Sequence, residues 1–134
     1  MAAAAEVVHD WSGEFPLEAS SVPAARATAA GLLGRFDWAG DRDAALLIVS
    51  ELVTNAVRYA RNERLRMRLA VSWPQGLVVE VTDEQPGVLP KQTCPPSVNA
   101  ESGRGLFLVQ ALGATVTVSQ TTRGKTVRAE LEER

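Results

Sequence analysis

The stretch "SELVTNAVRYA", Ser50 to Ala60, lies inside a long apolar run yet carries Glu51, Thr54, Asn55 and Arg58. On a helix, residues 51, 55, 58 and 62 fall along one stripe, because positions three and four apart are surface neighbours. That stripe reads Glu51, Asn55, Arg58 and Asn62, with Thr54 at its edge, and the opposite stripe reads Leu46, Val49, Val53, Ala56, Val57 and Ala60. A plain amphipathic helix with its wet face outward explains the pattern, and taken alone it is the commoner case. The residue types lean away from it, since Asn and Thr are poor helix formers and wet faces favour Lys, Glu and Gln. A carboxylate and an amide one turn apart could instead serve a hydrated Mg²⁺, which takes oxygen ligands and keeps several waters. The carboxylate could also orient or deprotonate a nucleophile.

The rest of the chain bounds what such a helix can belong to. Its 134 residues suit one domain, large enough to bury about two-thirds of the surface exposed when unfolded. Apolar residues make up 46% and charged residues 22%, as in ordinary globular proteins, and the formal net charge is -2. No basic run suggests a nucleic-acid surface. A single cysteine, Cys94, excludes an internal disulfide framework and fits a reducing compartment. The sole histidine, His9, leaves no His/Cys metal cluster and no obvious catalytic triad. No apolar stretch reaches the roughly 18 residues of a membrane span. The opening "MAAAAEVVHD" lacks the basic start of a signal peptide, so a cytoplasmic location is expected.

Residues 1–20 read as an N-terminal extension with a short strand near Trp11 to Phe15, followed by a single domain over residues 21–134. "SSVPAARATAAGLLGRF" has a cap-like Ser and an early Pro, which predicts a helix from about Val22 to Phe36. "DWAGDRD" is a loop in which Asp41 or Asp43 can cap a second helix, from about Arg42 to Ala60. "RLRMRLAVSW" alternates charged and apolar residues, the period of a strand with one wet face. After a "PQG" turn, "LVVEVTD" completes a hairpin. "EQPGVLPKQTCPPSVNAESG" has no periodicity, and a loop of about 20 residues in a small domain is usually a functional lid or a disordered segment. "RGLFLVQALG" is a short helix closed by Gly113. "ATVTVSQ" and "KTVRAEL" form two last strands around a tight turn. The order predicts an α+β two-layer sandwich, with helices on one face of a mixed, mostly antiparallel sheet.

Three further sites carry chemistry. In "EVTDEQPG", Asp83 stands at a strand end, where a carboxylate can accept a hydrogen bond from a ligand amine; an ordinary Asp/Pro/Gly loop start is the commoner reading. In "ESGRGLFLV", glycines ahead of a helix let backbone N–H groups approach an anion. The dinucleotide fingerprint fails there, because Leu108 stands where its third Gly belongs. The Walker A loop fails at "GKT", Gly124 to Thr126, where Ser119 occupies the required Gly position. Thr126 itself is an ordinary strand residue.

Taken together, "ELVTNA", a strand ending in Asp, a long loop, "GRGLFLV" and "GKTV" occur in the order that resembles the Bergerat-fold ATP-binding domain of the gyrase, heat-shock chaperone, histidine kinase and mismatch-repair (GHKL) superfamily. Within it the chain looks most like the small anti-sigma-factor serine kinases of actinobacterial type, over roughly Ser21 to Leu131. The resemblance implies that Asn55 binds Mg²⁺, which bridges the phosphates of ATP, and that Glu51 is the general base. It implies that Asp83 receives the adenine amino group with Thr126 in support, and that Gly87 lets the chain pass close to the base. Gly103, Arg104, Gly105 and Leu106 would meet the phosphates, and residues 88–102 would form the ATP lid. The partners implied are a sigma factor and an anti-anti-sigma (STAS) protein, and homodimers are common in the family. The first glycine box departs from the family pattern, since Gln85 stands in place of its first Gly; if that position needs positive φ, Gln pays a penalty that Gly does not. This keeps open a second reading, a regulatory protein-binding module without kinase activity.

Overall fold

In the computed structural model the described residues are 6–59, 64–73, 76–84, 108–121 and 124–132. They form β1 (Glu6–Pro16), α1 (Ser21–Arg35), α2 (Arg42–Tyr59), β2 (Arg64–Trp73), β3 (Gly76–Glu84), β4 (Thr115–Thr121) and β5 (Gly124–Leu131), with one helical turn at residues 108–111. The five strands make one sheet in the order β1-β2-β3-β5-β4. Each of its four pairings is antiparallel, so the mixed character expected from the sequence is absent among the described strands.

Period-two patterning decides which way the sheet faces. Leu65, Met67 and Leu69 of β2, Val79 and Val81 of β3, and Val127, Ala129 and Leu131 of β5 are buried in one core with the helices. The alternate residues turn the other way and hold a ladder of ion pairs. Arg68 bonds Asp10 through Nε at 2.9 Å and Nη2 at 3.0 Å, and reaches Glu80 at 3.4 Å. Arg128 joins Glu80 at 2.9 Å and Glu130 at 3.5 Å, while Arg64 joins Glu14 at 2.9 Å. The α+β two-layer arrangement follows directly: one face of the sheet is apolar and covered by helices, the other is charged.

The strand expected near Trp11 to Phe15 is longer, and it is an edge of this sheet, registered against the whole of β2. Its alternation is hard to see in sequence because Gly13 holds a core-side position and the register shifts between Val7 and His9. Trp11 and Phe15 pack on the core, and His9 stacks on Phe36, with ring centroids 4.6 Å apart. Pro16 closes the strand at an edge, where the missing N–H leaves no ladder bond unmade.

The two helices are joined by a hairpin with a definite stop and start. At the end of α1, Asp37 takes φ 52° and its N–H bonds Gly34 O, while Trp38 N–H bonds Leu33 O at 3.1 Å. This pair of bonds closes a helix on a left-handed residue, a conformation Asp tolerates better than most. It folds Trp38 inward, where the indole is 1% exposed. A Cβ on Gly40 would run into that indole, so only Gly lets the loop pass over it. Of the two candidate caps for α2, Asp41 is the one used: its Oδ1 accepts the Ala44 N–H at 3.0 Å. Gly113, at φ 95°, closes the short helical turn by the same two-bond device, with Gly113 N–H to Gln110 O and Ala114 N–H to Val109 O.

Candidate functional site

Four polar side chains among the described residues are buried: Ser21, Asn55, Ser72 and Asp83. Ser21 is bonded to Pro16 O. Asn55 and Asp83 are the two that the sequence singled out for chemistry.

Asn55 sits in the second half of α2, between Leu52 and Ala56, both of the core. It is 7% exposed, so the stripe it belongs to is no simple wet face. Its Oδ1 is buried without a hydrogen-bond partner among the described residues, as are Ser50 Oγ on the same helix and the core Trp38 Nε1. A buried carbonyl oxygen left unpaired costs on the order of 1–3 kcal/mol, and α2 does not repay that cost locally. An unpaired carbonyl oxygen is the kind of acceptor a hard cation takes. Among the described residues no group of three or more His, Cys, Asp or Glu side chains could hold a metal ion. Mg²⁺ keeps several waters and needs only one or two protein oxygens, so a single amide oxygen fits its chemistry. Glu51, one turn earlier, is half-buried, as is Thr54; Arg58 is exposed.

Asp83 lies near the end of β3, the strand on which α2 packs. It shares a cross-strand row with Leu65 and Lys125 on the helix-facing side. It is 5% exposed and accepts the Lys125 N–H on Oδ1 at 3.2 Å. Burial pushes its carboxyl above the ordinary value; the Lys125 N–H and the Lys125 ammonium act in the opposite direction. A carboxylate pinned on one oxygen by backbone, at a strand end and close to a helix layer, is a preformed acceptor for a ligand amine.

Thr126 does not join it. Its hydroxyl is 2.8 Å from that of Thr82, on the opposite side of the sheet from Asp83. The residue beside Asp83 is Lys125, which the sequence reading passed over. The signal was present: Val127, Ala129 and Leu131 mark the core side of β5, so by period two Lys125 shares their face and Thr126 does not. Asn62, Gln85, Gly87, Cys94, Gly103, Arg104, Gly105, Leu106 and the lid over residues 88–102 lie outside the described residues.

The comparisons bear on the fold and the family. A solved histidine kinase domain, from the Erythrobacter litoralis EL346 blue-light activated histidine kinase, superposes with a TM-score of 0.55 at 23% identity. The superposition covers 89% of this chain and 62% of that one, so the likeness is one of fold and the chain spans about three-fifths of the solved domain. A search of curated proteins finds no match. Among the described residues no helix is long and apolar enough to cross a membrane. The model of the histidine kinase-like ATPase domain matches residues 15–131, nearly the whole chain, and the protein belongs to that family.

Proposed function

We propose that the protein binds Mg-ATP between α2 and the end of β3 and acts as an anti-sigma-factor-like serine/threonine-protein kinase. It would bind a sigma factor and phosphorylate an anti-anti-sigma (STAS) partner. The observation that carries the nucleotide reading is the buried Oδ1 of Asn55, without a partner among the described residues, on the helix that packs against β3, near whose end Asp83 stands. The sigma-factor and STAS clients rest on the resemblance of "ELVTNA" and "GRGLFLV" alone.

In this reading Asn55 holds the cation through Oδ1, and Asp83 accepts the adenine amino group on the oxygen that Lys125 leaves free. The cation supplies charge neutralisation across the phosphates, the main requirement of phosphoryl transfer. Glu51 accepts the proton of a Ser or Thr hydroxyl as that oxygen attacks the γ-phosphorus. The new O–P bond forms, the β–γ bridging bond breaks, and ADP leaves with the electron pair. Half-burial of Glu51 one turn from Asn55 suits this, because the carboxylate stays near the phosphates yet within reach of a protein substrate.

Calorimetric titration with ATP, with and without Mg²⁺, tests the site. Mg²⁺-dependent binding is expected, and binding indifferent to Mg²⁺ removes the role given to Asn55. Glu51→Gln then tests the chemistry. It is expected to keep ATP affinity and to lose transfer to a STAS substrate by about 10²–10⁴-fold. Unchanged transfer ends the base assignment. Mg-ATP binding with no transfer to any such substrate favours the module that uses nucleotide without catalysis.

A further inference from the structure

We propose that β4 is a self-complementary sheet edge, through which two copies of this chain join as a dimer, their strands paired antiparallel about Val118. The inference does not rest on the nucleotide site, because no residue given a role there lies on β4.

The described sheet ends in β1 on one side and β4 on the other, and the two ends are built differently. β1 carries Asp10 and Glu14, breaks its register between Val7 and His9, and closes on Pro16. Those are devices that keep an edge strand from pairing with another chain. β4, "TVTVSQT", has no charge, no Pro and no break in its register with β5. Among the described strands it pairs with β5 alone, which leaves one side of its backbone for another strand. Thr115, Thr117, Val118, Ser119 and Gln120 are exposed. Of the large apolar side chains exposed among the described residues, Leu108, Leu112 and Val118 lie in β4 or in the segment leading into it, at 46%, 36% and 37%; Leu47 alone lies elsewhere.

The occupant that fits this edge is a second copy. Val116 and Val118 stand opposite Ala129 and Val127 of β5, on the helix-facing side, while Thr117 and Ser119 stand opposite Arg128 and Thr126, on the other. An antiparallel neighbour must match that parity, because a slip of one residue turns every side chain to the wrong face. A two-fold axis at Val118, the middle residue of β4, matches it over the whole strand. It sets Val118 against Val118 of the second copy, Thr117 against Ser119 and Val116 against Gln120. β-branched pairs and Thr–Ser hydroxyl pairs are favourable cross-strand partners. No like charges meet there, whereas two copies joined along β1 would gather their carboxylates at one seam. An edge without charge has nothing to select a charged peptide, but the copy's own β4 matches it in length, parity and neutrality. A two-fold contact uses the same patch on both subunits and closes at two copies, so it makes a dimer and not a fibre. Strand addition supplies main-chain hydrogen bonds over a short interface, which makes the dimer one of the small, concentration-dependent kind.

The test is sedimentation velocity of the full chain over a range of concentrations, for the wild type, Val118→Lys, Val118→Glu and an equal mixture of the two variants. The wild type is expected to pass reversibly from monomer to dimer. Each variant alone sets like charges across the axis and should weaken dimerisation at least about tenfold. The mixture should restore it, since Lys then faces Glu, and that recovery also shows that both variants fold. A wild type that stays monomeric overturns the proposal and leaves the edge to an extended segment of another protein or to none. Dimers that persist in each variant alone overturn it by placing the contact elsewhere, and growth beyond the dimer overturns the closed two-fold pairing. Hydrogen exchange of the wild type at low and high concentration needs no variant: the β4 amides should slow as the dimer forms. Exchange of β4 that ignores concentration while dimers form removes β4 from the contact, even if neither variant folds.

Discussion

On the side of the sheet turned from the helices, Asp10, Arg68, Glu80, Arg128 and Glu130 are numerous, close and mutually paired. On the side turned toward them, polar groups are few and poorly served: Asp83 is buried on a single backbone N–H, and in α2 Asn55 has an orphaned oxygen. The first arrangement is what a sheet does with a solvated face. Exposed pairs in high dielectric gain little, with a median near 0–1 kcal/mol, and their long stems shield the small residues between them. The second costs stability without a compensating bond among the described residues, and the function proposed above gives Asn55 and Asp83 a ligand in return.

Variants can break this contrast at either side. The largest effect belongs to the apolar part of the helix layer. Trp38→Ala removes the indole that joins the α1–α2 hairpin to the core, at 1% exposure. A loss of about 3–5 kcal/mol in unfolding free energy is expected by denaturant titration. A loss under about 1 kcal/mol would mean that the hairpin is not anchored through this ring.

Asn55→Leu sharpens the comparison more directly. It replaces an unsatisfied buried amide by an apolar group of similar size, and the unfolding free energy is expected to rise by on the order of 1 kcal/mol. Mg²⁺-dependent ATP affinity should disappear at the same time. Destabilisation instead would show that the amide is structurally satisfied and that α2 needs it for packing.

Asp83→Asn acts in the same sense through protonation. Burial raises the Asp83 pKa above the ordinary 3.8, against the pull of the Lys125 N–H and ammonium. The folded state then holds the proton more tightly than the unfolded one. Stability is fullest below the unfolded pKa, declines as pH rises through the folded pKa, and carries a constant penalty above it. Asn abolishes the penalty, so its Tm should exceed that of the wild type by a few degrees at pH 7, with the gap closing as pH falls toward 3.8. A gap independent of pH would mean that the effect is packing, not ionisation.

These residues also mark where sequence and structure part. The elements that announce themselves by period, β2, β3, β5 and α2, are legible in the sequence, while the start of α2 stays open there between Asp41 and Asp43 and the Ala44 N–H bond to Asp41 decides it. β1 is not, because Gly13 interrupts its apolar alternation and pairing with β2, rather than propensity, extends it to Glu6. For the site, the helical wheel puts Glu51, Asn55 and Arg58 on one stripe but cannot rank their burial, which depends on what packs over the helix. Strand parity separates Thr126 from Lys125: a shift of one residue along a strand changes the face of the sheet, so Lys125, in register with Asp83, shares its side while the Thr126 hydroxyl meets Thr82.

The smallest effect is expected on the charged side, and it tests the contrast from below. Arg68 is the densest node of the ladder, holding both oxygens of Asp10 and reaching Glu80. The Arg68 guanidinium bonded to Asp10 holds that carboxyl below its ordinary value, so the pair contributes above the unfolded pKa and the contribution is lost as pH falls through the folded one. Asp10 is 45% exposed and Arg68 30%, so solvent screens most of the gain. Arg68→Met should therefore cost less than about 1 kcal/mol near neutral pH. The cost should shrink further in 1 M salt, where the Debye length is about 3 Å. It should also vanish at acid pH once Asp10 is protonated. A loss of several kcal/mol that salt does not reduce would show a desolvated network on this face. The pairing of burial with function drawn from Asn55 and Asp83 would then have to extend to both sides of the sheet.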